Sequence, residues 1–191
     1  DCTGHGVPGA FMSMIGTSLL NENIIEKKID KPSEVLDNMR EKIISSLNDK
    51  DSARETRDGM DIALCKLNFE KKIVEYAGAN NPLVHVRDGG INHIKANYQP
   101  VALTVGDRIP FTNHRIELEK GDMLYIYSDG FADQFGGAKG KKYMVNKFRN
   151  FLASISSYEV QEQKQKLEEE FENWKGGHDQ IDDVCIMGVR I

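Results

Sequence analysis

The chain is 191 residues long, 39% hydrophobic and 29% charged, enough to bury a full core in an ordinary globular composition. Its formal net charge of -5 gives no general attraction to nucleic acid or to an anionic membrane, although Lys139, Lys141 and Lys142 make a local basic patch able to hold an anion. The cysteines, Cys2, Cys65 and Cys185, are odd in number and lack C-x-x-C spacing, which argues against a disulfide framework or structural zinc, and no apolar run reaches the roughly twenty residues of a membrane span.

In chain order, residues 7–28 follow Pro8 with Phe11, Met14, Ile15, Ser18, Leu19 and Ile25 at near-helical spacing, which predicts a long amphipathic helix packed through those positions. Val35, Leu36, Met39, Ile43 and Leu47 predict a second helix, capped by Ser33 and ending near Asn48. From Ile62 the apolar period shortens, through 62–67, 73–76, 83–86 and 91–94, with turns at Glu70-Lys71-Lys72 and Asp88-Gly89-Gly90. This block predicts an antiparallel meander. Residues 116–118 and 123–127, joined through Lys120-Gly121-Asp122, predict a further hairpin. Helical spacing returns at Tyr143, Val145, Phe148, Phe151 and Leu152, and again at Val160, Leu167, Phe171 and Trp174. The apolar run 184–189 predicts a buried strand. Helices, strands, helices and one strand make an α+β layered domain.

Acidic residues beside small ones recur at three distant places: Asp1-Cys2-Thr3-Gly4-His5-Gly6, Ser128-Asp129-Gly130 and Asp182-Asp183. Carboxylates at strand ends and loops are how distant segments converge on hard divalent cations, so the pattern points to a metal-dependent hydrolase. Each motif also has a plainer reading. The first would serve equally as a glycine-rich loop capping a helix, and the other two as surface turns. His5, with an ordinary pKa near 6.5, suits proton donation near neutrality but would also be satisfied by a backbone carbonyl. Asn80 and Asn81 read as turn formers, and Asp61 as facing solvent or capping the first strand, with a place near the metal edge as the alternative.

The ordered stretches DCTGHGVPGAFMS, DGMDIALCKLN, YAGANNPL, GDMLYIYSDGFADQFGG and DDVCIMGVRI together resemble, from residue 1 to 191, the stage II sporulation protein E-type serine phosphatases. These are a branch of the metal-dependent, type 2C-like (PPM) protein phosphatases. The resemblance implies an α-β-β-α sandwich of two mostly antiparallel sheets flanked by helices, with two cations, Mn²⁺ or Mg²⁺, at one edge. It implies that Asp1, the Cys2 backbone carbonyl, Asp129 and Asp182 hold those cations, with Gly130 and Asp183 in support and His5 as the acid. The activity implied is hydrolysis of phosphoserine or phosphothreonine esters by a metal-activated water, in a cytoplasmic phosphoprotein such as an anti-sigma-factor antagonist. The parent protein would be anchored, if at all, through an upstream region.

Family members also carry a metal-binding aspartate on a strand upstream of the glycine-rich motif, and nothing precedes Asp1 here. The expectation is a single domain over 1–191 that lacks its N-terminal strand, with weakened metal affinity and activity and an exposed sheet edge through which copies could pair as a homodimer. Two other readings remain open: a non-catalytic regulatory module of the same fold, and a phosphohydrolase of small molecules.

Overall fold

A computed structural model describes residues 1–4, 6–47, 57–104 and 108–191. The chain divides into two compact units: Asp1–Pro82 with Lys95–Glu117, and Leu83–Ile94 with Leu118–Ile191.

In the first unit, helix α1 (Gly6–Asn21) runs on into a π-helical turn, Glu22–Glu26, and α2 spans Pro32–Leu47. Strands β1 (Ile62–Asn68), β2 (Ile73–Ala79) and β5 (His114–Glu117) form an antiparallel sheet in the order β1-β2-β5. Both helices contribute to its core, with Met12 of α1 and Val35, Leu36, Met39 and Ile43 of α2 meeting Ala77 and Ala79 of β2. The helical extent predicted for 7–28 is borne out, and Ile15 and Leu19 pack against the core as expected, but the rest of the predicted face does not. Met12 and Gly16 face the core, whereas Phe11 is 61% and Met14 68% exposed. The reason is that α1 is apolar on every side, so spacing alone does not choose a face, while Gly16 does: a Cβ there would lie 2.6 Å from the Met60 methyl. The second helix begins at Pro32, a position where a missing N–H costs nothing, so Ser33 lies inside the helix and not at its cap. Asn48, its expected end, lies outside the described residues.

In the second unit, β3 (Leu83–Arg87), β4 (Gly90–Ile94), β6 (Met123–Tyr127) and β9 (Ile186–Arg190) form an antiparallel sheet in the order β4-β3-β6-β9. A short helix α3 (Gly130–Asp133), a small hairpin of β7 (Phe135–Gly136) and β8 (Lys141–Lys142), and helices α4 (Val145–Ile155) and α5 (Val160–Lys175) complete it. The core is aromatic: Phe131 stacks on Phe148 at 4.5 Å and meets Tyr143 edge-on at 5.0 Å.

The two predicted tight turns form. Lys71 donates to Asn68 Oδ1 at 2.8 Å, and Asp88 and Gly89 both take positive φ, the geometry that a two-residue hairpin loop requires. The meander does not form, because β2 and β3 belong to different sheets. Between them Asn80 turns the chain at φ +57° and Pro82 lacks a donor for a continuing ladder. The predicted hairpin of 116–118 with 123–127 is corrected likewise. Its turn closes, with Asp122 N–H on Glu119 O at 3.1 Å, but β5 pairs with β2 and β6 with β3 and β9. The last strand ends its sheet and is not buried within it, and Met187 is 57% exposed. An apolar run marks a strand without telling edge from centre.

Candidate active site

In the first unit, residues 1–3 lie antiparallel to 59–61. Asp61 N–H donates to Asp1 O at 2.8 Å and Thr3 N–H to Gly59 O at 2.9 Å, with Cys2 opposite Met60. Thr3 Oγ1 donates to Gly59 O and accepts from Gly59 N–H at 2.6 Å, closing the pairing. Gly59 is required here, since a Cβ would lie 2.4 Å from both Val101 O and the Ala102 methyl. Because Asp1 and Thr3 make the ladder bonds, the Cys2 carbonyl is directed away from residues 59–61. Asp61 does not face solvent: it is half-buried, accepts from Asn80 Nδ2 at 2.8 Å, and its carbonyl accepts from the Asp1 α-amino group at 3.1 Å. Burial raises the Asp61 pKa above the ordinary carboxylate value, against the lowering effects of Asn80 and the α-amino charge. Asn80 therefore both makes the turn and holds a carboxylate.

In the second unit the two remaining acidic motifs meet. Strand β6 ends at Tyr127, paired with Ile186 at the start of β9, so Asp129 leaves β6 at the end where 182–183 enter β9. Ser128 binds the two loops together. Its N–H donates to Cys185 O at 3.0 Å, and its hydroxyl donates to Asp183 O at 2.9 Å and accepts from Cys185 N–H at 3.0 Å. Gly130 completes the junction, since a Cβ would stand 2.4 Å from Asp183 O. The side chains of Asp129, Asp182 and Asp183 are exposed. Asp182 Oδ1 accepts the Asp183 N–H at 2.7 Å, which holds its carboxylate in one orientation.

Gln134, fully buried after α3, donates to Phe135 O and to Asp179 O at 2.8 Å, linking α3 to the segment that leads to Asp182. Thus Asp129, Gly130, Asp182 and Asp183 come together in one unit, Asp1 and Cys2 lie with Asp61 in the other, and His5 lies outside the described residues. Among the described residues of either unit, no group of three His, Cys, Asp or Glu side chains is arranged to hold a metal ion. The donors that adjoin are carboxylate oxygens, the type that hard divalent cations prefer. Sequence reasoning allowed Asp61 a place near the metal edge but passed over the bonding role of Ser128, Gln134, and the pairing of residues 1–3 with 59–61 that joins Asp61 to Asp1. The DGMD stretch around Gly59 and Asp61 was the available signal.

These elements are those of a PP2C-type phosphatase domain. The chain covers all of its own length and 73% of the SiaA PP2C domain of Pseudomonas aeruginosa, with 28% identity and a TM-score of 0.87. It is also similar to the PP2C phosphatase domain and regulatory-domain fragment of the cell fate determinant SpoIIE from Bacillus subtilis, at 19% identity and a TM-score of 0.73, over 100% of this chain and 52% of that one. RsbX, solved in complex with magnesium, aligns with 98% of this chain and 77% of its own at 18% identity and a TM-score of 0.66. No curated protein sequence matches significantly. The family model described as stage II sporulation protein E (SpoIIE) matches residues 1–191, and the chain belongs to that family. Among the described residues, no helix is long and apolar enough to cross a membrane.

Proposed function

We propose that the chain is the catalytic part of a metal-dependent serine/threonine protein phosphatase acting on a cytoplasmic phosphoprotein in bacterial signalling, an anti-sigma-factor antagonist being the family's typical substrate. The observation that carries this reading is the Ser128 junction, which sets Asp129 and Asp182 on adjoining loops with both carboxylates exposed. Asp129 and Asp182 would hold a cation in the second unit, and Asp1 and the Cys2 carbonyl are the candidate ligands of the first. When bound, two divalent cations, Mn²⁺ or Mg²⁺, would polarise the phosphoryl oxygens and lower the pKa of a water for in-line attack.

The chain's own residues set the conditions for this. Carboxylates alone would repel a phosphate dianion, so activity should depend strictly on added cation. Asp183 contributes its carbonyl to the junction and its N–H to the Asp182 carboxylate, which orients the acid proposed as the ligand of that pair. Gly130 lets the loops close. His5 would protonate the departing serine oxygen. The RsbX–magnesium complex supports a divalent cation.

Calorimetry with Mn²⁺ and hydrolysis of para-nitrophenyl phosphate and a phosphoserine peptide test this reading. Asp129→Asn should weaken Mn²⁺ binding and lower turnover by at least about 100-fold, more than loss of an outer partner costs. A protein that neither binds Mn²⁺ nor hydrolyses either substrate would be the non-catalytic module, and one that prefers nucleotides would be a small-molecule phosphohydrolase.

A further inference from the structure

The acidic chain carries a short stretch of opposite sign at residues 139–142, where Lys139, Lys141 and Lys142 surround Gly140 with no acid between them. These residues form the tip and second strand of the β7–β8 hairpin, whose first strand begins shortly after Asp129. The hairpin is fixed in place. Gly137 N–H donates to Trp174 O at 2.8 Å, Trp174 Nε1–H donates to Gln134 O at 3.0 Å, and Met144 N–H donates to Ala132 O at 2.8 Å. A Cβ at Gly136 would lie 1.8 Å from Trp174 O, so the strand sits hard against α5.

The position of this hairpin relative to Asp129 follows from α3. Asp133 N–H donates to Asp129 O at 2.9 Å, one helical turn apart, and Lys142 Nζ bonds Asp133 Oδ2 at 2.7 Å. Residues so spaced stand about 5–6 Å apart on one helix face, so Lys142, and with it the second strand of the hairpin, stands at the flank of the Asp129 loop. Lys142 is neutralised by Asp133, whereas Lys139 and Lys141 are exposed and, among the described residues, enter no ion pair. Gly140, at φ +54°, brings the tip beside His178, which a Cβ would approach to 3.6 Å. The loop from His178 on to Asp182 is the one that Gln134 anchors. A rigid cationic edge beside carboxylates that would otherwise repel acidic peptides is suited to receive them.

We propose that the 139–142 hairpin docks an acidic segment flanking the phosphorylated residue of the protein substrate, so that the enzyme favours phosphosites with Asp or Glu a few residues away. This deepens, and rests on, the phosphatase reading of the same site. Exposed lysines act through screened charge, so the preference is salt-sensitive and modest per residue.

The test compares two phosphoserine decapeptides, one with acidic and one with alanine flanks, in wild type and in Lys139→Glu/Lys141→Glu, with Lys139→Ala/Lys141→Ala as a second variant and near-ultraviolet dichroism of Trp174 as the folding control. Wild type should show about a ten-fold higher kcat/KM for the acidic peptide at low salt, shrinking toward parity at high salt, and the variants should lose the preference. Anisotropy of the labelled acidic phosphopeptide with Mn²⁺ reads docking without turnover. Charge-sensitive binding with no hydrolysis of any substrate would keep the docking edge and end the phosphatase reading. Equal, salt-independent hydrolysis of both peptides would keep the enzyme and overturn the docking edge. Binding that the variants lose toward phosphatidylglycerol vesicles but not toward the peptide would also overturn it, making the edge a lipid contact.

Discussion

Gly130 is the residue on which the closeness of the two acidic loops most directly depends, since any side chain would strike the Asp183 carbonyl at 2.4 Å. Gly130→Ala should cost roughly 1–3 kcal/mol through overpacking and reduce Mn²⁺ affinity about ten-fold, measured by thermal melting and calorimetry. Unchanged affinity would detach the junction from metal binding. The thiols offer an independent check of burial. Cys185 is exposed, whereas burial pushes the Cys65 thiol up to about 12, so Cys185 should react with an aromatic disulfide reagent in the folded state and Cys65 only on unfolding. At this scale the acids themselves were legible, because Asp beside Gly or Asp is a local pattern. The role of Ser128 was not, because its partners Asp183 and Cys185 lie 55 and 57 residues away.

Among the elements, α1 separates spacing from packing. Met12→Ala should cost about 2–4 kcal/mol, as for other buried large-to-small changes, whereas Phe11→Ser with Met14→Ser should change stability by less than about 0.5 kcal/mol, read from denaturant midpoints. The opposite ranking would return the core face to the positions predicted from periodicity. The turns after β1 and β3 were readable because Asn68, Asp88 and Gly89 act within a few residues. Which strands they deliver to which sheet was not readable. β2 finds β5 and β3 finds β6 across intervals of 37 to 44 residues by register, such as Ile73 opposite Glu117 and Leu83 opposite Ile126, and nothing in either strand's own alternation names its partner.

For the molecule as a whole, Asp122 is the buried charge of greatest consequence. It is 1% exposed and accepts from Arg87 Nε at 2.9 Å, Arg87 Nη2 at 2.7 Å and Glu119 N–H at 2.8 Å, with His85 Nε2 at 2.8 Å. Burial alone would raise its pKa, but the Arg87, Glu119 and His85 contacts outweigh it and hold the carboxyl well below the ordinary range. A carboxylate depressed on folding stabilises the protein above its unfolded pKa, and that stability is lost as pH falls through the folded value. Asp122→Asn should therefore cost roughly 3 kcal/mol at neutral pH, by removing the buried anion from Arg87 and His85 and leaving Arg87 only the exposed Glu119, and the gap in Tm between variant and wild type should narrow below about pH 4. A gap constant down to pH 2 would remove Asp122 from the acid limb. What the amino-acid order determined by itself was whatever acts over a few residues: helical and strand periods, hairpin turns, acids beside glycine, and a motif order that marks the family. Only the tertiary structure decided which strands share a sheet, which face of α1 is buried and which acidic loops adjoin, because those depend on hydrogen-bond partners and close contacts between residues far apart in the chain.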